Sequence, residues 1–203
     1  DFWAEPKAKL LYKKFTSRDA YCDYNLFGSK TGRLSLSGDS LPLMNMKKEY
    51  RACIKPNNDF FIELDYNAAE ARVVLALLGL DQPDEDIHDY NAKNLYHSTR
   101  DEAKKRFFAW LYNPNSDDTV SSGQYDRDLI LGRYYLYGSV ENIFKRKIQC
   151  DDYHALNYLI QSTCADLVLE RIVAIYELLK GRKSYIAFTL HDSIILDFAS
   201  EDK

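Results

Sequence analysis

The sequence predicts an α+β fold in which an antiparallel sheet packs against helices. Residues 60–66 form a short apolar and aromatic run, which is typical of a buried strand. Residues 185–198 contain two further strand-like runs around the turn residues 191–193, which predicts a hairpin. Residues 98–112 and 152–180 carry the capping residues or the apolar spacing of helices. Two strand regions and two long helices together favour this fold class.

The composition is that of an ordinary globular protein. The chain has 203 residues, enough for one domain or two closely packed subdomains, with 46% hydrophobic and 29% charged residues. It contains no apolar run long enough to cross a membrane and no signal-peptide pattern, so no membrane partner is expected. The four cysteines lie far apart without a Cys-x-x-Cys pair, which favours reduced thiols over a zinc site.

Charge and aromatic content leave two interpretations open. The net charge of −4 does not favour nucleic acid, but the basic residues are clustered and would suit either a groove or a solvated surface. The clusters fall within residues 7–14, 47–51, 104–106 and 145–147. The sixteen tyrosines suit stacking on bases or sugars, and equally suit a core or an interface.

The first part of the chain alternates between helical and turn signals. Residues 1–20 alternate basic and apolar positions and predict a short helix. Residues 28–38 are rich in turn residues and predict a loop that carries Arg33. Residues 68–78 have helical composition, and Gly79 is placed to end that helix.

The later part of the chain predicts three helices after an acidic loop at 81–86. The helix over 98–112 begins with two overlapping capping-box candidates and ends before Pro114. The candidates are Ser98 with Asp101 and Thr99 with Glu102. Residues 114–126 predict a loop and residues 126–137 a helix. Asp151 or Asp152 is placed to cap the long helix that runs to Gly181.

The helix over 98–112 carries a regular four-residue pattern, which consists of Arg100, Lys104, Phe108 and Tyr112. On a helix this spacing stacks side chains along one face. Two cations followed by two rings suit a nucleoside triphosphate, since the cations match the phosphates and the rings match the sugar and base.

Two aspartates flank this helix in the sequence. Asp65 ends the strand predicted over 60–66, and Asp192 lies at the tip of the predicted hairpin. If these strands are neighbours, the carboxylates converge at one edge of the sheet. Oxygen ligands suit Mg²⁺, and a pair of such ions can activate an attacking oxygen and stabilise a leaving one. Either aspartate alone is more typical of a turn, and the cationic helix between them favours phosphoryl transfer.

Six segments resemble, in order, motifs of the family A (polymerase I-like) DNA polymerases. Asp65-Tyr-Asn-Ala-Ala-Glu-Ala-Arg72 is similar to motif A, the four-residue pattern to motif B, and His191-Asp192-Ser193 to motif C. The other segments are Thr31-Gly-Arg-Leu-Ser35, Asp86-Ile-His88 and Asn157-x3-Gln161-Ser-Thr-Cys-Ala-Asp-Leu167. The resemblance implies a right-hand polymerase palm, an antiparallel sheet with packed helices, plus a helical fingers subdomain and a thumb that is largely absent.

The same resemblance implies a division of the chain. Residues 1–30 would be a remnant of the thumb or N-terminal connection, 31–80 the first part of the palm, 81–150 the fingers and 151–203 the second part of the palm. We expect the chain to be a fragment, with further domains or subunits supplying a thumb and an exonuclease. A cytoplasmic location in a bacterial or viral context is the implied setting.

The resemblance also implies catalytic and metal-binding roles. Two Mg²⁺ ions, with Mn²⁺ as the alternative, would be held by Asp65, Asp192 and the backbone carbonyl of Tyr66. Lys104 would neutralise or protonate the departing pyrophosphate. The implied partners are primer-template DNA and dNTPs.

Nucleotide and DNA contacts follow from the same motifs. Around the nucleotide, the resemblance places Arg100, Lys104 and His88 at the triphosphate, Phe108 on the deoxyribose, and Glu70 with Tyr112 under the sugar, where they obstruct a 2′-hydroxyl. At the primer-template it places Arg33, Asn157, Gln161 and His191. An Asn and a Gln four residues apart on one helix also suit the acceptors that all base pairs present in the minor groove.

Departures from the family pattern keep other activities open. Ser193 stands where these DNA polymerases usually have Glu, and single-subunit RNA polymerases can show His-Asp-Ser. Glu70 argues for deoxynucleotides, because those RNA polymerases lack it. Asn113 stands where Gly is expected, and Asn can adopt the left-handed conformation that Gly would supply. We therefore predict a template-directed DNA polymerase core for DNA replication; the alternatives are an RNA polymerase, a reverse transcriptase or a non-catalytic nucleic-acid-binding subunit.

Overall fold

The computed structural model describes residues 6–17, 21–38 and 40–203, and divides the chain into two compact units. The first unit comprises residues 1–64 and 171–203, and the second comprises residues 65–170. In chain order the elements are α1 (Pro6–Ser17), β1 (Tyr24–Asn25), β2 (Ser35–Leu36), α2 (Lys48–Arg51), β3 (Phe60–Leu64), α3 (Ala69–Leu78), α4 (Ile87–Asn91), α5 (Arg100–Tyr112), α6 (Thr119–Gln124), α7 (Arg127–Tyr134), β4 (Tyr135–Leu136), β5 (Ser139–Glu141), β6 (Lys147–Gln149), α8 (Asp152–Leu179), β7 (Tyr185–Leu190) and β8 (Ser193–Phe198). Short 3₁₀ turns lie at Leu43–Asn45 and Ser200–Asp202, and a π-helical turn at Ala92–Tyr96. No described helix is both long and apolar enough to span a membrane.

The first unit is built on an antiparallel sheet with the strand order β3-β8-β7. Because β8 lies between two partners, its residues from Ser193 to Asp197 are all buried. Asp197 is only 2% exposed, and its carboxylate accepts hydrogen bonds from the backbone N–H groups of Asn57 (2.7 Å) and Asn58 (2.9 Å). The Tyr185 hydroxyl donates a third hydrogen bond to it at 2.9 Å. The buried charge of Asp197 is therefore held by donors from the segment before β3 and from β7.

The strand predicted over 60–66 exists, but it is shorter and more exposed than expected. β3 ends at Leu64, and both Phe60 and Leu64 are exposed. The prediction of a buried strand was wrong, because within the described part of the chain β3 is an edge strand that pairs with β8 alone. An apolar run indicates a strand without showing how many neighbours cover it.

The predicted hairpin is confirmed. The loop between β7 and β8 consists of His191 and Asp192, and Leu190 pairs with Ser193. His191 has a φ of +55°, in the left-handed region that most side chains avoid. The Ser193 hydroxyl donates a hydrogen bond to the carbonyl of Leu190 at 2.9 Å, which closes the turn from inside.

The second unit contains a smaller antiparallel sheet with the order β4-β5-β6. Its first hairpin has the two-residue loop Tyr137-Gly138, flanked by the pair Leu136 and Ser139. Both loop residues have positive φ, +52° and +72°. The Ser139 hydroxyl donates a hydrogen bond to the Leu136 carbonyl at 3.0 Å. This sheet was not predicted, since the sequence indicated a helix through residue 137.

The core of the second unit gathers around α3, α5 and α8. On α5 the buried residues Ala103, Phe107, Trp110 and Leu111 form one face. Phe107 and Trp110 meet Tyr125, with ring centroids 5.2 Å and 5.5 Å away. Aromatic pairs of this kind contribute about 0.5–1.5 kcal/mol beyond their buried area. This packing buries one face of α5 and leaves the opposite face accessible to solvent.

Helix ends follow local signals with three differences. Gly79 ends α3 in the left-handed conformation, and Thr99 with Glu102 forms the capping box of α5, as predicted. The segment 114–126 was predicted as a loop but contains α6, whose first turn is capped by Asp118. α7 ends at Tyr134 rather than at residue 137. Asn113 is extended, with φ −112° and ψ 102°, because the following proline disfavours helical backbone before it.

Candidate functional site

The four-residue pattern lies on the accessible face of α5. Since the opposite face is packed in the core, Arg100 and Lys104 are exposed, Phe108 is half-buried and Tyr112 is exposed. The rings of Phe108 and Tyr112 stack nearly parallel, with centroids 5.8 Å apart and an interplanar angle of 10°. A cationic end and a flat aromatic end therefore share one surface.

Tyr112 connects this surface to the first turn of α3. Its hydroxyl donates a hydrogen bond to Oε2 of Glu70 at 2.5 Å. Glu70 is only 7% exposed, so its carboxylate is held in place rather than solvated. A charge-assisted hydrogen bond of this length is among the stronger ones in proteins. The aromatic end of the surface is thus fixed by a buried acid.

Arg100 is held by Asp86 in a bidentate ion pair. Its Nη2 lies 2.8 Å from Oδ2, and its Nε donates to Oδ1 at 3.3 Å. The same carboxylate accepts the backbone N–H groups of His88 and Asp89 as the cap of α4, and the amide of Asn67 at 3.0 Å. The Arg100 guanidinium holds the pKa of Asp86 far below its usual range, although partial burial acts against it. Asp86 is therefore ionised at neutral pH.

His88 lies inside the second unit rather than on the surface. It is 2% exposed, and its ring lies against Phe108 and Phe107 with centroids 5.8 Å and 6.1 Å away. Burial lowers the pKa of His88, and the Lys104 and Arg100 cations lower it further, while Asp86 acts in the opposite direction. The imidazole is thus neutral at pH 7. Its Nδ1 is buried and has no hydrogen-bond partner among the described residues.

Arg72 holds the acidic loop that leads to Asp86. Its guanidinium donates to the backbone carbonyls of Asn67, Pro83 and Glu85, each at 3.0 Å. The side chain of Gln82 returns a hydrogen bond to the Arg72 carbonyl at 2.9 Å. Arg72 and Asp86 were noted only as parts of motifs, and no sequence pattern assigned them these contacts. The signal that could have found Asp86 is its position directly before a helix, where Asp is a favoured cap.

The predicted metal ligands flank paired strand ends. Asp65 follows Leu64 at the end of β3, and Asp192 precedes Ser193 at the start of β8. The register pairs Leu64 with Ile194. Asp65 is exposed, while Asp192 and Tyr66 are half-buried. The donor chemistry, two carboxylates and a backbone carbonyl, fits Mg²⁺. Among the described residues, no group of three or more His, Cys, Asp or Glu side chains is arranged to hold a metal ion.

The residues predicted to contact DNA are distributed over both units. In the first unit, Arg33 lies half-buried between β1 and β2, and His191 is exposed at its hairpin. In the second unit, Asn157 and Gln161 lie one turn apart on α8, both half-buried. The Asn157 Oδ1 atom is buried without a hydrogen-bond partner among the described residues.

Two of the basic clusters contain a structural arginine. Arg106 makes a bidentate ion pair with Asp118, and Arg146 makes one with Asp166. These residues fix loops to helices. Lys104, Lys105, Lys145 and Lys147 remain exposed beside them, so the clusters combine scaffolding and surface charge.

Comparisons with known proteins give a likeness of fold. No protein-family model matches the sequence, and no curated protein matches it. Among solved structures, the chain is similar to the POL domain of Pol1 from M. smegmatis, determined in complex with DNA primer-template and dNTP. The TM-score is 0.66 at 17% sequence identity, over 97% of this chain and 45% of that chain. The chain spans less than half of that neighbour and has a polymerase-like fold.

Proposed function

We propose that the chain is the catalytic core of a template-directed DNA polymerase, which adds dNTPs to a primer 3′-hydroxyl by two-metal-ion nucleotidyl transfer. The observation that carries this proposal is the accessible face of α5, where exposed cations lead to the stacked rings of Phe108 and Tyr112 and to buried Glu70. The likeness of fold to a polymerase domain that was determined with DNA and dNTP supports it.

The dimensions of α5 suit an incoming nucleotide. From Arg100 to Tyr112 the helix rises about 18 Å at 1.5 Å per residue. We assign the triphosphate to the end with Arg100 and Lys104, with His88 as a neutral hydrogen-bonding group rather than a cation. The deoxyribose would pack on Phe108. Lys104 would neutralise the departing pyrophosphate or give it a proton.

The Glu70–Tyr112 hydrogen bond supports selection of the sugar. The pair is rigid because Glu70 is buried and Tyr112 is stacked on Phe108. A ribonucleotide would bring its 2′-hydroxyl against this closed pair and leave it without room. We therefore favour deoxynucleotides over ribonucleotides as substrates.

We assign the metal ions to Asp65, Asp192 and the backbone carbonyl of Tyr66. When bound, two Mg²⁺ ions supply stabilisation of the attacking and leaving oxygens. The chain's own part would be to present two carboxylates, one from the residue after β3 and one from the residue before β8. Mn²⁺, which shares the preference for oxygen ligands, is the alternative ion.

We assign the primer-template to Arg33, Asn157, Gln161 and His191. Asn157 and Gln161 can reach minor-groove acceptors from one face of α8, since such acceptors occur on every base pair. The Oδ1 of Asn157 is buried and has no hydrogen-bond partner within the described part of the chain. Further domains or subunits would supply a thumb.

Two adjacent lysines on α5 provide the test. Both Lys104 and Lys105 are exposed, but only Lys104 belongs to the proposed nucleotide face. In single-nucleotide primer extension with Mg²⁺, we expect Lys104→Gln to lower the rate about a hundredfold. Lys105→Gln has the same charge change and should stay within about twofold, given the small effect of a distant surface charge. Equal losses in both variants would contradict the assignment.

Substrate choice separates the remaining alternatives. Parallel reactions with rNTPs, and with an RNA template, distinguish a DNA polymerase from an RNA polymerase or a reverse transcriptase. Calorimetric titration of dNTP with and without Mg²⁺ addresses the non-catalytic alternative. Metal-dependent dNTP binding that is lost in Asp192→Asn supports the polymerase, whereas DNA binding without any dNTP binding supports a binding subunit.

A further inference from the structure

A cleft of about 620 Å³ opens beside the β4-β5-β6 sheet. It is lined by the end of α7, the β4–β5 hairpin and the turn between β5 and β6. None of its lining residues belongs to the nucleotide, metal or DNA positions assigned above. Its walls expose several large apolar side chains, with Leu136 at 61%, Tyr137 fully exposed and Ile143 at 52%.

Two residues of this cleft have a backbone conformation that is uncommon for residues other than glycine. Tyr137 has a φ of +52° and Lys145 a φ of +69°. A non-glycine residue in this region costs on the order of 1–3 kcal/mol. Both side chains point into solvent, so neither recovers that cost by packing. Each of these two positions exposes its side chain, a ring at Tyr137 and a cation at Lys145.

The turn that carries Ile143 and Lys145 is rigidly anchored. The Asn142 side chain accepts the backbone N–H groups of Phe144 (2.9 Å) and Arg146 (3.0 Å), and donates to Asp166 on α8 at 2.8 Å. Arg146 binds the same aspartate, with its Nη2 2.6 Å from Oδ1. The exposed side chains are thus carried by a fixed backbone. Binding therefore loses conformational entropy only in the side-chain rotamers and not in the loop backbone.

The charge of the cleft identifies the kind of partner. Three cations line it, Arg133, Lys145 and Lys147, against the single carboxylate of Glu141. Glu141 is 3.4 Å from Lys145, but both side chains are well exposed, and such surface pairs are weak. Exposed rings next to an excess of cations are typical of surfaces that bind single-stranded nucleic acid through stacking and phosphate contacts.

We propose that this cleft binds single-stranded DNA. Tyr137 stacks on an unpaired base, and Lys145 and Lys147 contact the adjacent phosphates. A duplex hides its base faces and cannot use the ring, so single strands are preferred. The identification of this strand as the unpaired part of the template rests on the proposed function, whereas the binding itself does not.

Fluorescence anisotropy with a labelled oligothymidine, in EDTA and without dNTP, tests the proposal. Replacing Tyr137 by glycine removes the ring and also relieves the positive φ, so the variant should fold at least as stably as the original chain. We expect its affinity for the oligonucleotide to fall about tenfold or more. Tyr137→Phe keeps the ring and should bind within about twofold, since stacking does not need the hydroxyl.

The salt dependence tests the lysines. Lys145→Gln and Lys147→Gln should each lower the slope of log affinity against log salt by about 0.7, the value for one lost phosphate contact on a single strand. Lys180→Gln is the matched control, because Lys180 is exposed outside the cleft and paired with Glu177. Unchanged binding by Tyr137→Gly, equal slopes in all three lysine variants, or equal affinity for duplex would each overturn the proposal. Because no dNTP or metal is present, failure of primer extension leaves this result unaffected.

Discussion

Two of the described sheets, β3-β8-β7 and β4-β5-β6, contain hairpins that are built alike and differ at the tip. One is Leu190-His191-Asp192-Ser193, and the other is Leu136-Tyr137-Gly138-Ser139. Each has a two-residue loop whose first residue is a non-glycine with positive φ, +55° in one and +52° in the other. In each, the serine hydroxyl donates to the leucine carbonyl, at 2.9 Å and 3.0 Å. In both hairpins the serine closes the turn, while the two loop residues form the tip.

Ser193, which follows the aspartate of the first hairpin, has the same structural role as Ser139 in the second. Ser193 is 4% exposed and Ser139 is 5% exposed, and both hydroxyls point back into their own turn. Ser193 therefore acts in hairpin closure rather than as a ligand directed outward. Both loop residues differ in chemistry between the two hairpins: His191 and Asp192 in the first correspond to Tyr137 and Gly138 in the second. Under our proposals, the first tip presents a carboxylate and the second a ring.

The largest expected effect separates the two tips by activity. Asp192→Asn should lower single-nucleotide incorporation on the order of a hundredfold or more, because the metal ions lose a charged ligand. Gly138→Asn alters the corresponding loop position of the other hairpin, and asparagine tolerates positive φ. That variant should incorporate nucleotides within about twofold of the original rate. A comparable loss in both variants would show that the two hairpins do not differ in this way.

A second prediction concerns the closing serines. Ser193→Glu introduces the residue usual in family A DNA polymerases into a buried position, and Ser139→Glu makes the matched change in the other sheet. Both variants should lose roughly 2–4 kcal/mol of unfolding free energy, since each buries a carboxylate and removes a hydrogen bond. Urea unfolding measures the loss. If Ser193→Glu is tolerated while Ser139→Glu is not, the serines have different roles.

A smaller effect isolates the hydrogen bond itself. Ser193→Ala and Ser139→Ala should each cost about 1 kcal/mol of unfolding free energy, the usual net value of one hydrogen bond. Nucleotide incorporation by Ser193→Ala should remain close to the original rate, because a closing residue does not contact the substrate. A large loss of activity in a well-folded Ser193→Ala protein would instead place this hydroxyl at the reaction.

The smallest expected effect is a difference in acid sensitivity between the central strands. Burial acts to raise the pKa of Asp197 on β8, but the Asn57 and Asn58 N–H groups and the Tyr185 hydroxyl outweigh it and hold the pKa below its usual value. A lowered pKa stabilises the fold fully above about pH 4, and this contribution is lost as the pH falls through the folded pKa. Glu141 on β5 is exposed.

Thermal unfolding between pH 2 and pH 6 checks this difference. Asp197→Asn should flatten the acid limb of the stability curve, and Glu141→Gln should leave it unchanged. Identical curves for Asp197→Asn and the original protein would contradict the assignment of the buried carboxylate. The matched glutamine variant controls for the loss of one negative charge.

Signals confined to a few residues predicted the fold well. Gly79 ends its helix and Thr99 with Glu102 caps another, since these contacts join neighbours along the chain. The small sheet was missed because its strands have two or three residues, too few to show a period of two. Its turn also lacks the Asn-Gly or Asp-Gly pair that usually marks a two-residue hairpin.

The part of the candidate site that could be predicted also depends on residues close together in the sequence. Four-residue spacing identified the accessible face of α5, because helix geometry converts spacing into a surface. The Arg100–Asp86 ion pair joins residues fourteen positions apart and depends on the path of the loop that Arg72 holds. The burial of His88 depends on two rings from another helix. Neither contact has a local pattern. The roles of Asp65, Asp192 and the DNA-contacting residues remain predictions.

Under the proposed function, the ion pair between Arg100 and Asp86 would make nucleotide binding an exchange of one anion for another. Asp86 already presents two oxygens to the guanidinium, much as a phosphate does. Under the proposed function, a triphosphate that binds Arg100 replaces one anion with another, so the measured affinity is a difference between two similar contacts. Asp86 stays fixed by its cap of α4 and by Asn67, and is therefore at hand to re-form the pair. The same carboxylate that weakens substrate binding would then assist the departure of pyrophosphate.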